Sequence, residues 1–307
     1  MTPPNLPDAL TDLPWELPHT FLGLDEAATA WATSRAVLLP VPYESTTSYG
    51  GGTRQGPRAI IESSRYLELY DQELDAEPEE AYGVHTLPSL ELTRAGAGPA
   101  MDELEAAYAA VAEAAGDRFL LMLGGEHSIS SPAIRAQAAR SEQRLTVLQM
   151  DAHADLRPQY EGTPASHASA MARILDVADV VAVGIRAVSA EEMEVHRATE
   201  GSTIVWADEM WEDDAWMDRA IEALGPKVYL TFDVDYFDPS LVPSTGTPEP
   251  GGGDWYRTLR FLRRVFRERE VVAADVVELA PIPGLHAPDF LVAKLVKKLL
   301  SYRFEEA

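Results

Sequence analysis

Residues 145–155 read LTVLQMDAHAD: a strand-length run from Leu145 to Met150, then Asp151-Ala152-His153-Ala154-Asp155. The run lacks the period-2 alternation of a half-exposed strand. Strands buried on both faces, in a parallel sheet covered by helices, look like this. At Met150 the character changes abruptly, and three ionisable side chains follow at alternate positions. In open α/β sheets the working residues lie just past the carboxyl ends of the strands. This one stretch therefore predicts a fold class and a place to look for chemistry.

Outward from it the same texture recurs. Apolar runs of strand length occupy residues 36–39, 119–123, 180–183, 202–206, 228–232 and 271–276. Helical patterns alternate with them at 57–70, 101–115, 132–139, 190–198, 213–224, 255–267 and 289–302. The first of these opens on Pro57, which a first helical turn tolerates; the second runs into Gly116, a usual helix stop. Repeated strand–helix alternation with short connections predicts one α/β sheet with helices on both faces. Residues 1–18, rich in proline, read as an N-terminal arm, and 19–307 as a single catalytic domain. No long linker, internal repeat or low-complexity segment divides that domain, and the acidic run at 75–80 reads as a solvated loop.

The 307 residues suit a single large α/β unit, and a hydrophobic fraction of 46% supplies its core. No stretch reaches the roughly 18–20 apolar residues of a membrane span, and the N-terminus lacks the pattern of a secretory signal. There are no cysteines. Disulfides, thiolate metal sites and cysteine nucleophiles are thereby excluded, any metal must be held by oxygen and nitrogen, and a cytoplasmic location fits. The formal net charge is −25, from 25 Lys+Arg against 50 Asp+Glu. Such a surface repels nucleic-acid backbones and draws in cations, whether metals or a positively charged substrate.

Two other strand ends match the first. Residues 228–232 lead into Asp233-Val234-Asp235, and 119–123 into Gly124-Gly125-Glu126-His127-Ser128. Residues i, i+2 and i+4 of an extended segment share a face, so Asp151, His153 and Asp155 group together, as do Asp233 and Asp235. A lone Asp after a strand is ordinarily a turn or cap residue; two such motifs at strand ends, with His127 at a third, are not. Clustered carboxylates repel by about 4 kcal/mol per close pair at an effective dielectric near 20. With no Lys or Arg in these motifs, the cluster must take up protons or bind cations. Two divalent ions with four carboxylates and two imidazoles approach neutrality, and a ligand set of oxygen with histidine suits manganese. A metal pair about 3.5–4 Å apart can generate a hydroxide nucleophile at neutral pH.

These segments resemble the metal signatures of the arginase/agmatinase (ureohydrolase) family, in the family's order along the chain. The third extends as Asp233-Val234-Asp235-Tyr236-Phe237-Asp238-Pro239. Further matches are Pro42-Tyr43-Glu44 with Gly52-Thr53-Arg54-Gln55-Gly56-Pro57, Thr245-Gly246-Thr247-Pro248-Glu249-Pro250-Gly251-Gly252, and Glu278-Leu279-Ala280-Pro281. The resemblance implies a three-layer α/β/α fold, two Mn2+ ions per subunit, and a homo-oligomer, trimer or hexamer. It implies His127, Asp151, His153, Asp155, Asp233 and Asp235 as ligands, with Asp151 and Asp233 bridging. In the family's mechanism a metal-bridging hydroxide attacks the guanidinium carbon, and urea and an amine result. Asp155 would orient the nucleophile and pass on its proton, His167 in Ser166-His167-Ala168 would shuttle a proton to the leaving nitrogen, and Glu278 would grip the guanidinium. Chemistry suits these roles: a carboxylate accepts two parallel N–H bonds from a planar guanidinium, and histidine titrates where a departing amine needs its proton. Two departures stand out. Glu126 occupies a position where many members carry Asp, and Ala168-Ser169-Ala170-Met171 replaces a glycine-containing run, which leaves the shape of that loop open.

The loop at 156–166 lies where the family reads the far end of its substrate. It contains Arg157-Pro158-Gln159-Tyr160-Glu161-Gly162-Thr163-Pro164-Ala165 and no asparagine, and it resembles agmatinase loops. Glu161 near the mouth suits a second cationic end, whereas Arg157 would suit a carboxylate. The expected activity is hydrolysis of agmatine to putrescine and urea. Arginase, guanidinobutyrase or another guanidino-acid hydrolase is the alternative within the class, and a catalytically silent metal-binding relative the alternative outside it. A nucleotide-binding role is not expected: Gly50-Gly51-Gly52 to Gly56 departs from GxGxxG at Gln55 and reads as a tight turn near the site.

Overall fold

The computed structural model describes residues 16–305, so most of the expected N-terminal arm lies outside the described residues. The strands are β1 (Ala36–Val41), β2 (Val84–Thr86), β3 (Phe119–Gly124), β4 (Leu145–Met150), β5 (Ala178–Ile185), β6 (Ser202–Trp206), β7 (Lys227–Asp233) and β8 (Glu270–Val277). They form one sheet in the order β2-β1-β3-β8-β7-β4-β5-β6, and every pairing is parallel. The runs without alternation are thus strands covered on both sides, as expected. Leu38, Leu121, Leu148 and Val181 face one apolar layer; Val37, Leu120, Val147 and Val180 face the other.

Helices fill both layers, because parallel neighbours need crossover connections. Gly56–Ser64, Ala215–Ala223, Trp255–Glu268 and Ala287–Arg303 pack on the first face. Ala97–Ala115 and Ser130–Arg140 pack on the second. Three features differ from the sequence reading. In the acidic run at 75–80, Glu79 is buried and opens a short helix, Glu79–Tyr82, instead of lying in a solvated loop. Strand β2 is only three residues long, too short for any periodicity to register. The helix expected at 57–70 ends at Ser64. There the Ser64 hydroxyl donates to Ile61 O and accepts from Leu22 N, and the Arg65 guanidinium turns inward to bond Leu17 O. The chain then continues in tighter turns.

The strand order positions the site. β3 and β4 are consecutive in the chain, yet β8 and β7 lie between them. The connection changes direction at this point, and the carboxyl ends of the central strands open a crevice.

Candidate functional site

The central strands β3, β8, β7 and β4 each deliver ionisable side chains to this crevice. At the end of β3, Gly125 passes so close to Tyr43 that a Cβ would lie 1.8 Å from the Tyr43 carbonyl oxygen. Only glycine fits, and its N–H bonds Val41 O while the next N–H bonds Tyr43 O. This brings the chain round into the 3-10 turn His127–Ile129. At the end of β4 the Asp151 carboxylate accepts the His153 N–H at 2.6 Å, and at the end of β7 Asp233 accepts the Asp235 N–H at 2.9 Å. The alternate spacing therefore works through side-chain-to-backbone turns of the Asx kind, not through continued strand geometry. The same carboxylates serve as turn residues and as members of the cluster. Past β8, Glu278 adopts a left-handed backbone (φ 65°), as does Asp155 past β4 (φ 52°). Non-glycine residues held there carry strain of order 1–3 kcal/mol, which tends to gather at functional sites.

The buried side chains converge. His127 Nδ1 lies 2.9 Å from Asp155 Oδ2, 3.1 Å from Asp151 Oδ2 and 3.3 Å from Asp233 Oδ2. His153 Nδ1 lies 2.9 Å from Asp235 Oδ2 and 3.7 Å from Asp151 Oδ1. Two overlapping groups, His127–Asp151–Asp233 and Asp151–His153–Asp235, could each hold a metal ion, and Asp151 belongs to both. The surroundings of His127 fit a ligand. Its Nε2 contacts Thr231 Oγ1 at 2.9 Å, whereas its Nδ1, buried among three carboxylates, has no geometrically satisfactory hydrogen-bond partner. A ring nitrogen anchored on one side and unpartnered on the other is what a metal-binding histidine presents.

Electrostatics point the same way. Burial, then the charges of Asp235 and Asp151, hold the Asp233 carboxyl well above its ordinary range; burial, then Asp151, raises Asp155. Burial opposes ionisation of Asp151, but hydrogen bonds from His127 and His153 outweigh it and draw its pKa down. Burial likewise disfavours charged His153, yet Asp235 and Asp151 push the imidazole up to about 12. Without a cation the cluster shares protons among acids and imidazoles, as the excess of buried negative charge requires.

Supports around the cluster come in part from residues with no local signature. Thr231 donates to Asp275 Oδ1 at 2.6 Å, and Tyr229 donates to Asp275 Oδ2 at 2.8 Å, all three fully buried. Arg186 bonds the carbonyls of Asp235, Phe237 and Glu249, tying the turn that carries Asp235 to the loop before Gly251. Glu44 Oε2 accepts from Gly52 N, Arg54 N and the Thr53 hydroxyl, so the glycine-rich stretch is a tight turn, as expected. Glu278 does more than line the site: its Oε1 accepts the His127 N–H at 2.6 Å, bracing the histidine turn.

The remaining candidates lie at the rim. His167 stands in a 3-10 turn (His167–Ser169) with its ring edge-on to Tyr160. The loop after it closes by Met171 N and Ala172 N bonding Asp155 O, with Ala170 and Met171 buried; apolar packing takes the place of the glycine-containing run. Arg157 lies 3.8 Å from Glu192 and over the Tyr160 ring. Glu161 is exposed at the tip of the Tyr160–Thr163 turn, with φ 48°.

Residues 34–301 match the family model described as the arginase family. A protein from Synechocystis named N(1)-aminopropylagmatine ureohydrolase is 39% identical over 291 residues, 93% of this chain and 94% of the relative. The chain belongs to the arginase family. An agmatinase from Bacillus cereus is another family relative, 35% identical over 87% of the chain and 91% of its own length. The agmatine ureohydrolase of Thermoplasma volcanium has the same fold, with a TM-score of 0.83 at 26% identity, covering 95% of this chain and 96% of its own. The arginase family binds a binuclear metal site, which agrees with the paired groups sharing Asp151. Among the described residues no helix is long and apolar enough to cross a membrane.

Proposed function

We propose that this arginase-family chain hydrolyses the guanidino group of a polyamine, with two Mn2+ ions, and that N1-aminopropylagmatine is its preferred substrate, ahead of agmatine. The observation that carries the reading is the convergence of His127, Asp151, His153, Asp155, Asp233 and Asp235 beside Glu278 at the switch point of the sheet. The substrate assignment draws on relatives: proteins 39% identical from Synechocystis and Thermus thermophilus bear the aminopropylagmatine name, and agmatinases follow at 35%. The sequence reading favoured agmatine itself, and the longer substrate keeps its guanidino end while adding a cationic tail.

The reaction breaks one C–N bond: water adds oxygen to the guanidinium carbon, the chain-bearing nitrogen leaves as an ammonium, and urea is released. A bound Mn2+ pair supplies positive charge and lowers the pKa of water towards neutrality. The chain's own residues do the rest. Glu278 accepts guanidinium N–H bonds and holds the planar carbon over the cluster. Asp155 takes the proton of the attacking water, and His167 at the rim delivers a proton to the departing nitrogen. The far amines lie towards Tyr160 and Glu161. Arg157, engaged by Glu192 and Tyr160, is less available to a carboxylate, which supports an aminated tail over an amino-acid one. Assembly into a homo-oligomer belongs to the same reading.

The test is urea release by Mn2+-loaded protein from N1-aminopropylagmatine, agmatine, L-arginine and 4-guanidinobutyrate, with Asp151→Ala as control. The aminopropyl substrate is expected to lead in kcat/KM, and the control to be inactive. Agmatine ahead would restore the shorter substrate. Arginine or the guanidino acid ahead would overturn the tail assignment, and no urea from any of them would overturn the hydrolase reading.

A further inference from the structure

Glu126, where the sequence departs from the family pattern, is fully buried and accepts four hydrogen bonds. Its Oε2 takes the N–H groups of Ser45 and Thr46, each at 2.6 Å. Its Oε1 takes the hydroxyls of Thr46 at 2.7 Å and Ser128 at 2.6 Å. Three of these bonds span some eighty positions of sequence and hold the 45–46 loop against the β3 end. The Thr46 hydroxyl is thereby committed: its single hydrogen goes to Glu126. What remains to it is to accept. One acceptor position takes the backbone N–H of His167 at 3.0 Å. The other faces His167 Nδ1 at 3.3 Å.

We infer that Glu126, acting through Thr46, sets the tautomer and orientation of His167. The oxygen facing Nδ1 has no hydrogen left to give, so this contact is a hydrogen bond only when Nδ1 carries the proton, and it favours that tautomer. Nε2 is then the nitrogen that gains and loses a proton, and it is directed away from Thr46, towards Ser48 Oγ at 3.4 Å. Ser166 Oγ, 3.4 Å from Nδ1, can donate or accept, so it fits either tautomer and leaves the choice to Thr46. The geometry is that of a carboxylate–hydroxyl–imidazole chain, in which each partner decides the proton position of the next. Glu126 and Thr46 touch no substrate atom in this scheme. They are positioning residues, and their catalytic meaning rests on the proposed role of His167.

Thr46→Val keeps shape and removes the hydroxyl, and Thr46→Ser restores it. Urea-release kinetics are expected to show kcat lower by about tenfold in Thr46→Val, the worth of one lost hydrogen bond. KM should hold within about twofold, Mn2+ content should be unchanged, and Thr46→Ser should recover most of the rate. In a His167→Ala background, Thr46→Val should cost nothing further, since acting through His167 is non-additive with its loss. A second measurement does not depend on turnover: 15N NMR of histidine-labelled protein loaded with diamagnetic Zn2+, with His167 assigned by difference from His167→Ala. The wild type should carry its proton on Nδ1, and Thr46→Val should shift the population towards Nε2. A wild type protonated on Nε2, a Thr46→Val enzyme with unchanged kcat, or a Thr46→Ser enzyme as slow as the valine variant would each overturn the inference. A wild type with the Nδ1 proton but no urea release would uphold the hydrogen-bond chain and sink the functional reading.

Discussion

Replacing Glu278 by glutamine probes the proposed grip on the guanidinium with almost no change of shape. The carboxylate is buried and its Oε1 already accepts the His127 N–H, a bond that an amide oxygen can still accept. With the amide oxygen so engaged, the NH2 group of glutamine faces the substrate, donor against donor. Hydrogen bonds to charged groups contribute about 1.5–3 kcal/mol each, and breaking a buried ion pair from one side costs about 3–5 kcal/mol. At about 1.36 kcal/mol per tenfold in rate, kcat/KM should fall by roughly two hundred- to five thousandfold. The assay is steady-state urea release on wild type and variant, each checked for Mn2+ by elemental analysis. Full metal occupancy matters, because it separates loss of substrate contact from collapse of the His127 turn. A metal-replete variant within tenfold of wild type would refute the idea that Glu278 holds the guanidinium. A variant that loses metal would instead reveal bracing of His127 as its main service.

Two further changes test the supports. Thr231→Val removes the oxygen that His127 Nε2 contacts and unpairs one side of buried Asp275; metal affinity, read by competition with a chelating dye, should drop by about 10–100-fold, and unchanged affinity would exclude Thr231 as the group orienting that imidazole. On the opposite face, Lys298 bonds Asp71 at 2.7 Å and Glu73 at 2.8 Å. Burial raises the pKa values of both acids, but Lys298 outweighs it and holds both below their ordinary ranges. A lowered folded pKa gives stability that is present above the unfolded value, near 4, and lost as pH falls through the folded value. The melting temperature should therefore decline as pH falls below about 4, and Lys298→Met should start lower at neutral pH and show a shallower decline; parallel curves for the two proteins would contradict this linkage.

Much of the site could be read in the sequence because its members are local. Asp151 and His153, or Asp233 and Asp235, come together through a single turn whose hydrogen bond joins residues two apart, and such a turn is written in the residues themselves. The strands could be read for a similar reason: an unbroken apolar run records burial on both faces. Other features had no such record. Strand β2 was too short to show a period, and the helix from Gly56 stops at Ser64 because of contacts with Leu17 and Leu22, about forty positions earlier. Asp275 carries no local signature, and only the register sets it beside Thr231 across β7 and β8. Glu126 stood out as a departure from a pattern, but three of its four hydrogen bonds come from a loop eighty residues away.

Residue chemistry and short-range spacing thus sufficed for the α/β class and the ligand candidates, and the resemblance of the motifs pointed to the family. Strand order, which inserts β8 and β7 between β3 and β4 and so draws the four strand ends into one crevice, came from packing. So did the chain from Glu126 out to His167 at the rim and the buried chain from Tyr229 to His127. The physical reason is range. A turn or a buried strand is favoured by interactions among neighbours in the chain. Which strand lies beside which, and which buried hydroxyl meets which carboxylate, depends on closing long loops so that apolar faces and buried polar groups across the molecule are satisfied together.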